Sequence, residues 1–530
     1  MECEKEEGNI EYKRSIVDKD DKRLENLSTQ MKFRVNEGNG EAFYYIGVED
    51  DGKFTGISID EYNKTHENLK KIADKNNFTL KLISSKNTEK DKKIYEFLVR
   101  EINTNKYTEV KIGVAGNVDS GKSSLLGVLS NGVLDNGRGS ARLSVFNHKH
   151  EIDSGRTSSI AQHILGFDAW GKIINYKGNS TNNSISWPDI VSKSKKIISF
   201  YDLAGHEKYL KTTIFGLTST MPDYCFILVG ANMGVSRMTR EHIFLCLSLN
   251  IPFSIIVTKT DICKTRKNIL DTTMSQIKKI LKLPSLRKVS YIVKNKEDSI
   301  TAAKNFKVEN IVPIFKISNV TGDNIDILRN FLNLLQPRNV KKEETDTQMN
   351  IDSIFSVTGV GTVVGGDLVS GKVYVNDKLY LGPNSNGQFI EAQVKSIHIK
   401  RTAVLSASSG TYICLALRKI NRKLIRKGQV LLSNKEKCVA TNEFEAKINV
   451  IRSNSTTIRN GYQPVIHTSN IRQTTQILTI KDCETGNEKM LTTGDSAVVT
   501  FKFCYRPEYI VSGNQIIFCE GRIKAVGTIL

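Results

Sequence analysis

The chain lacks any cluster of metal-ligating cysteines. Its nine cysteines are scattered, with no Cys-x-x-Cys pair and no tight Cys/His group of the kind that holds zinc, and they read as reduced, mostly buried thiols. His148 and His150 are too few for a metal on their own and read as loop histidines. Also missing is an apolar run near the roughly 18 residues a membrane span needs. The opening Met1-Glu2-Cys3-Glu4-Lys5-Glu6-Glu7 has neither the basic nor the apolar region of a signal peptide. A cytoplasmic location with no membrane partner is the expectation. Acidic residues are in short supply: 76 Lys and Arg face 56 Asp and Glu, leaving a net charge of +20. Such an excess concentrates polyanions such as RNA near the surface, although it also serves plain solvation. Composition is otherwise ordinary. With 39% hydrophobic and 25% charged residues, the chain is neither largely disordered nor fibrous, and 530 residues call for about three or four domains.

What is present falls into blocks. After a charged start, Ala42-Phe43-Tyr44-Tyr45-Ile46-Gly47-Val48 leads into the turn Asp50-Asp51-Gly52 and reads as a strand and hairpin. Residues 60–75, with Leu69 and Ile72, read as a helix, and 78–83 and 95–102 as strands. They form a small N-terminal α+β module over 1–107. From Val110 the pattern changes to a strand over 110–115, a Gly-rich turn and a helix over 123–129. Strands at 197–201, 225–229 and 253–257 then alternate with helices around 207–217 and 241–249. This order argues for a doubly wound α/β domain over 108–338 whose parallel sheet is covered on both faces. It closes with a helix over 325–335 near Pro337, and a charged linker over 339–349 follows. Beyond it, short runs rich in Val, Ile and Thr recur between turns such as Gly365-Gly366, Asn376-Asp377 and Thr493-Gly494-Asp495. Two β-barrel domains, 350–438 and 439–530, fit best.

The chemistry starts at Gly116-Asn117-Val118-Asp119-Ser120-Gly121-Lys122-Ser123, a phosphate loop set between strand and helix. Backbone N–H groups there wrap phosphates, Lys122 reaches their outer oxygens and the Ser123 hydroxyl coordinates Mg²⁺, with Ser124 next along the helix. In Arg156-Thr157-Ser158-Ser159, Thr157 is the candidate sensor of a γ-phosphate: its hydroxyl and carbonyl would join Mg²⁺ and that phosphate only while the triphosphate is intact. Without the surrounding motifs it would read as a plain loop threonine. Asp202-Leu203-Ala204-Gly205-His206 follows a strand, so Asp202 can hold Mg²⁺ through water and the Gly205 N–H can contact the γ-phosphate. His206 stands where signalling GTPases carry a water-orienting Gln and is the candidate catalytic residue.

Base choice is carried by Thr258-Lys259-Thr260-Asp261. Asp261 can accept from the N1–H and the N2 amino group of guanine, a pair that adenine does not present, so guanine is favoured. The Lys259 stem would lie over the base, and Ser318-Asn319-Val320 would support it from the opposite edge. GTP/GDP and Mg²⁺ are the expected ligands and GTP hydrolysis the expected activity.

This ordered set resembles the translational GTPases such as elongation factor Tu, whose phosphate loop has Asp at the position of Asp119 and whose third motif ends in His. It is closer still to the eukaryotic GTP-binding protein 1 and 2 family. That match includes 117–129, Leu134-Asp135-Asn136-Gly137-Arg138-Gly139, His148-Lys149-His150-Glu151, Ser154-Gly155-Arg156-Thr157-Ser158-Ser159 and 202–213. It continues through 317–322, Val360-Gly361-Thr362-Val363-Val364, Ile471-Arg472-Gln473 and 521–528, and reaches back to 40–48. Two positions depart from the wider pattern. Thr258 replaces the Asn of most GTPases and makes fewer bonds than an amide, which would weaken affinity or speed exchange. Arg156 replaces the apolar residue that flanks the catalytic His of elongation factor Tu.

The resemblance implies a translation-factor-like switch that engages aminoacyl-tRNA and the ribosome, with a role in mRNA surveillance or turnover and mRNA-decay proteins as partners. The basic stretch Arg418-Lys419-Ile420-Asn421-Arg422-Lys423-Leu424-Ile425-Arg426-Lys427 could meet RNA phosphates or be a solvated loop. A different class is a GTP-gated protein-binding module in RNA decay without tRNA delivery. The GTPase subunit of sulfate activation shares the three-domain core but lacks the Gly155–Ser159 and N-terminal matches.

Overall fold

The computed structural model describes residues 4–5, 7–17, 20–88, 91–102, 107–143, 145, 160–176, 185–264, 266–284, 286–307, 310–338, 345–451, 457–483, 485–520 and 522–530. Its first unit is a four-stranded sheet in the order β1-β2-β4-β3, made of Ile10–Lys13, Glu41–Ile46, Lys93–Glu101 and Phe78–Asn87 respectively. The expected hairpin after Ile46 is reduced to one bridge, Val48 to Phe54. Two helices pack on the sheet. Ile59–Lys75 starts with a capping box between Ser58 and Glu61, as its sequence invites. The charged start hides the other, Asp21–Glu37, whose Leu24, Leu27, Met31 and Val35 face the core.

The central sheet runs β10-β11-β9-β8-β5-β7-β6. In chain order these strands are β5 Thr108–Gly116, β6 Ala161–Phe167, β7 Lys196–Asp202, β8 Tyr224–Gly230, β9 Phe253–Thr258, β10 Val289–Val293 and β11 Ile311–Lys316. Six strands are parallel, and all of them but the edge strand β10, whose Val289 is exposed, are largely buried on both faces, which explains their continuous apolar runs. The sheet departs from the wholly parallel expectation at one edge: β6 runs antiparallel to β7. Its run Ala161-Gln162-His163-Ile164-Leu165-Gly166-Phe167 is short, lacks alternation and is interrupted by glycine, so its strand signal is weak, and pairing with β7 fixes it. Two cores flank the sheet. One takes in Tyr12, Phe43, Ile94 and Leu98 of the N-terminal unit, and the other takes in Ile517 and Cys519 from near the C-terminus.

The remaining chain is β. Gln348–Val357 (β12), which begins at the end of the segment read as linker, opens a ring of strands with Gly361–Ser370 (β13), Lys378–Gly382 (β14), Ile390–Ile399 (β15), Tyr412–Arg418 (β16) and Val430–Leu432 (β17). A β14–β15 pairing closes it. The second barrel is closed and six-stranded, and its first strand, Glu443–Val450, buries every second residue, as a strand with one face in a barrel core must.

Buried ion pairs join the units. Glu41 accepts from Lys196 and Arg100 at 2.8 Å each. Lys111 pairs with Asp367 of the first barrel, and Lys400 donates to Glu109 at 2.5 Å. Arg426 holds Glu508 across the two barrels at 2.6 Å. Among the described residues no helix is long and apolar enough to cross a membrane.

Candidate nucleotide site

The site lies at the carboxyl ends of the parallel strands, where doubly wound sheets bind ligands. β5 ends at Gly116, and the chain turns through the loop into the helix Lys122–Asn131. The turn needs a left-handed residue at the helix start, and Gly121 supplies it with φ 83°, a conformation that costs glycine nothing. Asp119 also takes positive φ, 58°. Lys122 folds back over the loop and donates to the carbonyls of Gly116 and Asn117 at 3.1 and 2.9 Å. Burial pushes its ammonium below the usual pKa, while Asp202 and Asp119 pull it back up.

Asp202 ends β7, in parallel register with Val114 of β5. There its carboxylate accepts from Ser123 Oγ at 2.8 Å, and both side chains are buried. Hard oxygen donors carrying one negative charge beside a phosphate loop fit Mg²⁺, which keeps waters and takes phosphate oxygens. Among the described residues no group of three or more His, Cys, Asp or Glu is placed to hold a metal by itself, so phosphates would have to complete the shell. Gly205 comes so close that a Cβ would lie 2.4 Å from Lys122 Nζ and 2.6 Å from the Gly116 carbonyl oxygen. His206 caps the short turn Glu207–Tyr209, its Nδ1 accepting from the Lys208 N–H at 3.1 Å. With Nδ1 the acceptor, the neutral ring carries its proton on Nε2.

Two of the base-side residues, Thr258 and Asn319, are bonded to the loop. Thr258 at the end of β9 donates to the Ser120 carbonyl at 2.7 Å. Lys259 takes a left-handed conformation, and Asp261 accepts from Ser318 Oγ at 2.6 Å. Ser318 Oγ also accepts from the N–H groups of Val320 and Thr321, at 3.2 and 3.1 Å. A cleft of about 240 Å³ is lined by Val118, Asp119, Lys122, Ser123, Ser124, Gly205, His206 and Lys259. Of the base-side residues, Asn319 is hydrogen-bonded to Gly121 and Asp135 of the cleft lining, Thr258 to Ser120 of the loop, and Asp261 and Ser318 to each other. Thr157, Arg156, His148 and His150 lie outside the described residues.

One wall carried no assigned role in the sequence reading. Asp135, Arg138 and Arg142 also line the cleft. Asp135 gathers its own loop, its carboxylate accepting from the N–H groups of Gly137, Gly139 and Ala141 at 3.1, 3.2 and 2.9 Å. Its own N–H donates to the Asn319 carbonyl at 2.9 Å, so the loop is fastened to the base side. The turn-forming Asp135-Asn136-Gly137 was the available signal. In the basic stretch of the first barrel, Arg418, Lys419, Arg422, Lys423 and Lys427 stay exposed, whereas Arg426 is committed to Glu508.

Comparison with known proteins places these features. Residues 108–338 match the elongation factor Tu GTP binding domain and 361–432 match elongation factor Tu domain 2. GTP-binding protein 1 of Xenopus laevis is 45% identical over 516 residues, covering 97% of this chain and 77% of the relative. GTP-binding protein 2 of Mus musculus is 43% identical over 535 residues, covering 99% and 87%. The fold is similar to that of translation elongation factor SelB from Methanococcus maripaludis in complex with the GTP analogue GppNHp, with a TM-score of 0.56 at 20% identity over 80% of this chain and 79% of the other.

Proposed function

The chain belongs to the family of GTP-binding proteins 1 and 2, GTPases of the elongation-factor class, and from that membership we propose that its GTP-bound form engages aminoacyl-tRNA and the ribosome. The carrying observation is the coupling of the phosphate loop to the barrels. β5, the strand that ends in the loop, bears Glu109 and Lys111, which are ion-paired with Lys400 and Asp367 of the first barrel. A change at the γ-phosphate is thereby linked to the surface that would carry RNA. The net charge of +20 favours such a polyanion.

In this reading the loop N–H groups and Lys122 hold the phosphates, and Ser123, Thr157 and Asp202 would hold Mg²⁺. When bound, that ion neutralises phosphate charge. Asp261, oriented by Ser318, reads guanine, and Thr157 and Gly205 respond to the γ-phosphate. His206 positions the attacking water: with its Nδ1 taken by the Lys208 N–H, Nε2–H is left to donate to the water oxygen. That role is orientation, not proton abstraction.

GTP turnover by wild type and His206→Ala, each with and without ribosomes, tests the proposal. Slow intrinsic hydrolysis, accelerated by ribosomes only when His206 is present, supports it; equal rates in all four conditions overturn it. Filter binding of the GTP form to aminoacyl-tRNA tests the cargo, and no preference over deacylated tRNA would sink delivery.

A further inference from the structure

A threonine hydroxyl has a single hydrogen to donate, and at position 258 the fold has committed it. Thr258 Oγ donates to the Ser120 carbonyl at 2.7 Å, and the side chain is fully buried. The asparagine usual at this position has two N–H donors. Thr258 has one, and it is spent on the loop.

An amide stands beside it. Asn319, in the loop after β11, meets the phosphate loop at Gly121: a Cβ there would lie 3.4 Å from Asn319 Nδ2 and 3.6 Å from Thr258 Oγ1. The Asn319 side chain is 7% exposed, yet its Nδ2 makes a hydrogen bond of 3.5 Å to the Gly121 carbonyl, at the limit of useful length. Its Oδ1 is buried with no hydrogen-bond partner among the described residues. Nδ2 thus spends one N–H on a long bond and has a second N–H that no described residue takes. Its backbone is fixed on both sides, by Ser318 bonded to Asp261 at 2.6 Å and by the Asp135 N–H donating to its carbonyl at 2.9 Å.

We propose that Asn319 supplies the base-directed amide that Thr258 lacks: Thr258 tethers Ser120 while the second N–H of Asn319 donates to N7 of guanine. That edge of the base, N7 and O6, consists of acceptors and calls for a donor. Positions 258 and 319 are then a compensating pair, and Thr258 does not by itself imply weak binding.

The inference rests on the guanine-nucleotide reading of the cleft and is tested on the full chain with fluorescence-detected titrations of GDP and of 7-deaza-GDP, in which N7 is replaced by C–H. Wild type is expected to bind 7-deaza-GDP about tenfold more weakly than GDP, the loss of one hydrogen bond. Asn319→Ala should bind GDP about tenfold more weakly and no longer distinguish the two. The double variant Thr258→Asn, Asn319→Ala should regain both affinity and discrimination. The comparison is made within each variant, so a general loss of stability does not mimic the result. Wild type that binds both nucleotides alike, Asn319→Ala that still discriminates, or a double variant no better than Asn319→Ala would each overturn the pairing. Wild type that binds neither nucleotide would instead overturn the guanine-nucleotide reading.

Discussion

Gly205→Ala places one carbon where the chain after β7 meets the phosphate loop. That carbon would lie 2.6 Å from the Gly116 carbonyl oxygen and 2.9 Å from the Asn117 carbonyl carbon, against ordinary contacts of 3.4–4 Å. Lys122 Nζ, at 2.4 Å, ends a flexible chain and can yield; the loop backbone cannot without deforming the phosphate cradle. The segment at 205 must therefore retreat by roughly 0.8 Å or more, an overpacking of about 1–3 kcal/mol. Retreat costs little while GDP is bound, because nothing calls the 205 N–H inward. With a γ-phosphate present, the N–H has to approach and the clash returns. The affinity for a non-hydrolysable GTP analogue should fall about 5–150-fold relative to that for GDP, with single-turnover hydrolysis slowed in parallel. Titrating wild type and variant with both nucleotides measures this. A GTP-analogue to GDP affinity ratio within about twofold of wild type would refute the argument that Gly205 answers to the γ-phosphate.

Glu41→Gln strands two cations, Lys196 and Arg100, that are 0% and 1% exposed. Urea unfolding should show a loss of about 3–5 kcal/mol; a loss under about 1 kcal/mol would mean the N-terminal unit docks by its apolar contacts alone. Asp352 gives a pH dependence. Burial pushes its carboxyl up from 3.8 to about 6, against the pull of the Tyr412 hydroxyl donating to it at 2.6 Å. The folded state therefore holds this proton more tightly than the unfolded state. The stabilisation is complete below pH 3.8 and is lost as pH rises through about 6. Asp352→Asn keeps an oxygen for Tyr412 and removes the titration, so its stability relative to wild type should grow between pH 4 and 6, by an amount on the order of 2–3 kcal/mol. Parallel curves for the two proteins across that range would contradict this account.

Legibility followed the range of the interactions. The phosphate loop could be read because its requirements are local: an apolar strand, a residue free to take φ 83° at 121, and Lys122 and Ser123 at fixed steps along the helix. The helix Asp21–Glu37 was concealed by charge, although Leu24, Leu27, Met31 and Val35 carry its period. β6 had no strong signal, since an edge strand takes its shape from its partner. The Asp135 loop showed a turn motif with no hint of where the turn would sit.

Sequence by itself determined the GTPase class and the order of an α/β domain before two barrels, and it supplied the candidate residues of the nucleotide cleft, because each depends on chemistry within a few consecutive residues. Only the tertiary structure decided that Asn319 stands against Gly121 beside Thr258, that Asp135 and its two arginines wall the cleft, and that Lys111 and Glu109 tie the loop's own strand to a barrel. Those pairs lie up to 291 residues apart in the chain. Their partners are chosen by how sheets and barrels pack, which no local pattern encodes.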